Sequence, residues 1–96
     1  LQEALLDVEE GADMLMVKPG PAYLDILRDL HDATRVPLAA YQVSGEYSML
    51  RYAAAAGAID EAGATLETWI AMRRAGAQLI LTYHAAQALE EGWLDN

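Results

Sequence analysis

The 96 residues contain a single lysine, Lys18, and it closes an otherwise apolar run, Ala12-Asp13-Met14-Leu15-Met16-Val17, just before Pro19-Gly20-Pro21. An ammonium set behind that much apolar surface is expected to be partly desolvated. Desolvation favours the neutral amine, which can attack a carbonyl carbon and form a Schiff base. An ordinary strand-end lysine reaching into water is the alternative. Two further groups stand at comparable places. Ser44-Gly45-Glu46 ends a second apolar run, and Tyr83-His84 ends a third. Ser44 has a hydroxyl and a backbone N–H to offer an anion, or is simply a turn residue or helix cap. Tyr83 is either a phenol that holds a ligand or a half-buried core tyrosine. Glu46 supports a site from behind or is the first-turn acid of a helix. His84 is a weak candidate, and His31, among polar neighbours, is expected to face solvent.

The elements that must position these groups follow from apolar spacing. Glu3 to Glu10 reads as a helix stopped by Gly11, and Ala12 to Val17 as a strand buried on both faces. The prolines after Lys18 end that strand. Helical spacing returns from Ala22 to about Ala33, with Tyr23, Ile26, Leu27 and Leu30 on one side. Val36 to Val43 is a second strand. Helices at about Glu46 to Ala56 and Glu61 to Arg74 follow, then a strand from Gln78 to Tyr83 and a helix from His84 to Glu91. Strands alternating with helices predict parallel pairing. Glu10-Gly11-Ala12 entering the first strand resembles Ala75-Gly76-Ala77 entering the third, 65 positions on, which makes Lys18 and Tyr83 equivalent. In parallel α/β folds functional groups gather at the carboxyl ends of strands, and all three ends here carry a reactive type. Three such units alone leave bare edges, so residues 1–96 read as one part of a larger domain, a slice of a (β/α)8 barrel or of an open sheet.

Composition narrows the classes. Fifteen acidic residues face six basic ones, five of them arginine, for a formal charge of −9, and 54% of residues are hydrophobic. That is a folding composition, and its acidity argues against a nucleic-acid surface, which needs clustered Lys and Arg. Without cysteine there is no disulfide or thiolate metal site within this stretch. No apolar run approaches the roughly 20 residues of a membrane span, and no leader peptide is evident, so the expected setting is cytoplasmic. Met14, Met16, Met49 and Met72 are expected as core filler, and Trp69 and Trp93 as packing residues on outer helices.

Met14-Leu15-Met16-Val17-Lys18-Pro19-Gly20, with Tyr23-Leu24-Asp25, resembles the catalytic-lysine segment of the porphobilinogen synthase (5-aminolevulinate dehydratase) family. Tyr41-Gln42-Val43-Ser44-Gly45-Glu46-Tyr47 is similar to that family's next signature, and Arg73-Arg74-Ala75-Gly76-Ala77 leading to Thr82-Tyr83 to its last strand. The resemblance runs from Leu1 to about Ala88. It implies the C-terminal third of a lyase that condenses two 5-aminolevulinate molecules to porphobilinogen in tetrapyrrole biosynthesis, on the last three strand–helix units of a (β/α)8 TIM barrel. It further implies that Lys18 forms the Schiff base with the first-bound substrate and that Ser44 and Tyr83 hold its carboxylate. Glu3 would anchor an allosteric magnesium through water, a plain helix acid being the alternative. A second Schiff-base lysine, the ligands of any active-site zinc and the arm that assembles homo-octamers would lie before Leu1. His84 stands where Phe or Tyr is usual. Two other readings compete: a class I Schiff-base aldolase on the same barrel, against which Tyr41-Gln42-Val43-Ser44-Gly45-Glu46 argues, and an inert truncated segment.

Overall fold

The computed structural model describes residues 6 and 8–95. Its elements are β1 (Leu15–Val17), a 3-10 turn (Pro21–Tyr23), α1 (Leu24–Ala33), β2 (Leu38–Tyr41), α2 (Ser44–Ala55), α3 (Glu61–Ala75), β3 (Leu79–Leu81) and α4 (Ala85–Glu91). The strands form one parallel sheet in the order β1-β2-β3. Parallel neighbours cannot be joined by tight hairpins, so α1 carries the first crossover and α2 with α3 the second.

Local chemistry accounts for these boundaries. Pro21 supplies a fixed φ and no N–H at the start of the 3-10 turn, where neither is missed. The first turn of α3 is capped by Asp60, whose carboxylate accepts the Gly63 N–H at 2.9 Å, and Arg73 and Arg74 lie at its negative end. Gly76 stops that helix at φ 126°, a conformation L side chains avoid. Space demands glycine there too, since a Cβ would stand 2.7 Å from the Cβ of His31. His31 itself is exposed, as its polar neighbours suggest.

The core lies on one face of the sheet. Leu15 and Val17 of β1 and Leu38 and Ala40 of β2 point into it and meet Leu27 and Leu30 of α1, Met72 of α3 and Ala77. Pleating sends alternate residues the other way. Val17 pairs with Ala40 and Ala40 with Ile80, so Met16, Ala39 and Leu79 form a row on the opposite face. There Met14, Met16, Leu79 and Leu81 are all exposed. The expectation that the first strand is buried on both faces is therefore corrected: among the described residues, helices cover only one side of the sheet. The same geometry corrects the methionines, because only Met72 is core filler while Met14, Met16 and Met49 are exposed. The strands are also shorter than their apolar runs, ending where ladder pairing with a neighbour ends. Of the expected helix from Glu3 to Glu10, the described part closes as predicted, with the Gly11 N–H donating to the Val8 carbonyl and Gly11 at φ 105°.

Candidate functional site at the strand carboxyl ends

Val17 is level with Ala40, and Lys18 and Tyr41 are the next residues along; strand alternation directs both to the open face. Tyr41 pairs with Leu81, and Tyr83 lies two residues further along on the same side. The open face therefore carries an amine and two phenols at one end of the sheet, above an apolar floor of Met16, Leu79 and Leu81. The Tyr41 hydroxyl donates to the Tyr83 hydroxyl at 3.2 Å, and the rings lie 6.2 Å apart. That hydrogen bond first, then partial burial and the neighbouring phenol, hold the Tyr41 proton in place above the ordinary phenol range.

Lys18 is exposed, contrary to the expected desolvation, because nothing among the described residues covers the open face. Its backbone is nonetheless fixed. The Gly20 N–H donates to the Tyr41 carbonyl at 2.8 Å, tying the turn after β1 to the end of β2. Lys18 follows β1 and Tyr83 follows β3, on either side of the central strand that carries Tyr41.

Ser44 is the first residue of α2 and exposed; Val43 is the cap. The first bond of that helix runs from the Tyr47 N–H to the Val43 carbonyl, so the amides of residues 44–46 have no acceptor inside it and carry the positive end of its dipole. Glu46 takes its simpler role. Its carboxylate accepts the Val43 N–H at 3.0 Å, half of a capping box whose other half valine cannot supply. Burial pushes the Glu46 carboxyl above its ordinary range, against the pull of that N–H.

Tyr83 is 53% exposed, more than a half-buried core tyrosine would be, and its ring rests against Tyr47 at 5.6 Å. His84, the next residue, turns the other way and is fully buried, its Nε2 3.0 Å from the Glu61 carboxylate. The sequence reading missed that pair, and it missed Tyr41 and Tyr47. Tyr41 joins the site through the strand order, which sets β2 between β1 and β3, and no local pattern brings His84 to Glu61, 23 residues away. Trp93 is buried beyond the end of α4, and Trp69 of α3 is half-buried, their rings 6.3 Å apart. Glu3 lies outside the described residues. Among those residues no group of three His, Cys, Asp or Glu side chains is placed to hold a metal, and no helix is long and apolar enough to cross a membrane.

An amine, hydroxyls and a helix amino terminus gathered at the carboxyl ends of parallel strands is the construction of α/β proteins that bind small molecules beyond their sheets. Comparison with known proteins makes this specific. Residues 1–91 match the family model of delta-aminolevulinic acid dehydratase. The chain is 58% identical over 94 residues to the chloroplastic delta-aminolevulinic acid dehydratase of Physcomitrium patens, covering 98% of this chain and 21% of that protein. It is 54% identical over 91 residues to the Escherichia coli (strain K12) enzyme of the same name, covering 95% and 28%. In structure it resembles delta-aminolevulinic acid dehydratase (porphobilinogen synthase) from Toxoplasma gondii ME49, solved in complex with the reaction product porphobilinogen. There the TM-score is 0.90 and the identity 49%, over 94% of this chain and 26% of the other. The chain belongs to the delta-aminolevulinic acid dehydratase family. It spans about a quarter of the length of these relatives and matches their C-terminal portion.

Proposed function

We propose that these residues form part of a porphobilinogen synthase, a lyase of tetrapyrrole biosynthesis, and that they supply its first-bound 5-aminolevulinate with a nucleophile and a carboxylate clamp. The observation that carries this reading is the shared open face: Lys18 and Tyr83 flank Tyr41 at one end of the sheet, in a chain of this family. The Lys18 nitrogen adds to the ketone carbon and gives up its protons, the carbonyl oxygen takes up two and leaves as water, and an imine remains. An imine carbon is the better electrophile for the second substrate.

The carboxylate at the far end of the same molecule needs donors that add no charge beside the amine. The Tyr83 and Ser44 hydroxyls provide them, and the free amides at the start of α2 beside Ser44 add the positive end of a helix dipole. The Tyr41 proton is committed to the Tyr83 oxygen, which leaves the Tyr83 proton free for a ligand. Fixing one end of a short chain sets its ketone over Lys18, and that positioning is itself a large share of the rate.

In this reading the open, apolar face of the sheet is the inward face of a (β/α)8 barrel, covered by strands from the rest of the full-length chain. Glu3 is proposed to anchor an allosteric magnesium through water, an arrangement that ion favours. The test of the reading is Lys18→Arg in the full-length protein. Arginine keeps the charge but has no nucleophilic nitrogen, so porphobilinogen formation from 5-aminolevulinate falls by roughly a thousandfold or more. Near-native turnover would overturn the proposal.

A further inference from the structure

Behind the tyrosines lies a polar chain, buried at its His84 end and open to solvent at Arg51, that the Schiff-base chemistry does not use. The His84 ring is wholly inaccessible, packed 4.5 Å from the Tyr47 ring and 5.7 Å from the Trp93 ring. Its Nε2 meets Glu61 Oε2 at 3.0 Å, and the same carboxylate oxygen accepts from Arg51 at 3.2 Å. Arg51 in turn donates to Gln87 Oε1 at 3.1 Å. The chain therefore links the starts of α3 and α4 to the middle of α2. His84 Nδ1 is buried without a partner. A bare ring nitrogen fits the tautomer in which Nε2 carries the proton and donates it to Glu61, because an N–H at Nδ1 would be a buried donor with nothing to accept it.

An aromatic hydrocarbon ring at position 84 would pack equally well against Tyr47 and Trp93, so packing alone does not account for histidine. What histidine adds is a directional bond to a carboxylate, and a bonded ring cannot slide. Tyr47 is wedged between this ring and Tyr83, 4.5 Å from one and 5.6 Å from the other. The backbone agrees, since the His84 N–H donates to Thr82 Oγ1 at 3.1 Å and the Thr82 hydroxyl bonds the buried Gln42 side chain. Tyr83 thus leaves a segment pinned on both sides of it, with its own ring braced by Tyr47.

We infer that His84 and Glu61 are positioning residues for Tyr83: their hydrogen bond, relayed through the Tyr47 ring, aims the Tyr83 phenol at the substrate carboxylate. The inference rests on the reading of Tyr83 as a carboxylate ligand. It does not depend on His84 or Glu61 touching the substrate.

The test uses the full-length protein and levulinate, the keto acid that lacks the amino group, trapped on Lys18 by borohydride and quantified by peptide mass mapping. The variants are Glu61→Gln, Tyr83→Phe and the double variant, each checked for folding by circular dichroism. Glu61→Gln is expected to raise the half-saturating levulinate concentration roughly three- to tenfold at an unchanged plateau, as replacing the charged acceptor of a supporting hydrogen bond by a neutral one does. The double variant should be no weaker than Tyr83→Phe, because both changes disable one clamp. Should Glu61→Gln fail to fold, His84→Phe gives the same readout, keeping the ring stack and dropping the bond. Unchanged half-saturation in the folded variant, or effects that simply multiply with Tyr83→Phe, would overturn the inference. If Tyr83→Phe alone binds like the parent protein, the carboxylate reading fails instead.

Discussion

Replacing Gly20 by alanine tests whether the turn after β1 is held as tightly as the site requires. The backbone there, φ −64° and ψ −52°, admits alanine without strain. Space does not: an added Cβ would stand 2.7 Å from Met72 Sδ and 3.0 Å from Ala40 Cβ. The sulfur lies next to the end of a flexible side chain, although one fully buried in the core. Ala40 cannot give way, because it sits in the central strand with Val17 on one side and Ile80 on the other. Restoring an ordinary carbon–carbon contact moves the turn outward by about 0.5 Å. The Gly20–Tyr41 hydrogen bond, 2.8 Å long, then stretches beyond normal length. Overpacking of this kind costs about 1–3 kcal/mol, and the weakened bond adds up to about 1 kcal/mol. In the full-length protein that lowers the melting midpoint by several degrees. Lys18, two residues back, moves with the turn. Since a 1 Å misplacement at a reacting centre costs about a hundredfold, half of that predicts roughly a tenfold rise in the 5-aminolevulinate needed to trap Lys18 as its imine. Melting by circular dichroism and borohydride trapping measure the two effects. A Gly20→Ala protein with native melting and native trapping would refute the argument that this contact holds Lys18 in place.

Other expectations follow from the same geometry. Ser44→Ala and Tyr83→Phe each remove one neutral donor to a carboxylate, which costs about 1.5 kcal/mol and raises half-saturation roughly tenfold; equilibrium trapping measures it, and no change in either variant would remove their proposed role. Burial of Glu61 is outweighed by its hydrogen bond from His84 and by Arg51, so its folded carboxyl sits below the ordinary carboxylate range. Its contribution to stability is complete above that range, near pH 4.3, and is lost as pH falls through the depressed folded value. Glu61→Gln should therefore flatten the acid limb of melting midpoint against pH, and an unaltered limb would contradict this. Glu46 runs the other way, its raised carboxyl favouring the fold at lower pH and losing that contribution as pH rises through the folded value. Glu3→Gln should abolish stimulation of the full-length enzyme by magnesium, whereas equal stimulation would leave Glu3 a helix acid.

Apolar runs and helix punctuation carried most of the fold. Each strand lies inside its predicted run, and Gly11 and Gly76 end helices with positive φ where the spacing places the stops. Lys18, Ser44 and Tyr83 were legible as strand-end groups because parallel sheets put their working groups there. What a linear pattern could not reveal was lateral. Tyr41 becomes part of the site only when β2 is placed between β1 and β3. The two-sided burial expected of β1 failed because apolar content does not say which chain segment covers a face. His84 was read as a weak candidate since its partner Glu61 starts another helix. Gln42, a polar residue inside an apolar strand, was the local hint that a buried hydrogen-bond network lies behind the sheet; its Oε1 accepts from Trp69 and Thr82.

The central claim is that Lys18 is the amine that captures substrate, and one lysine in 96 residues makes it open to direct measurement. The full-length protein is incubated with 5-aminolevulinate, reduced with borohydride, digested and mapped by mass spectrometry. The account predicts a reduced, substrate-sized adduct on the peptide containing Lys18. Enzyme inactivated by the same treatment, with the Lys18 peptide unmodified, would contradict it.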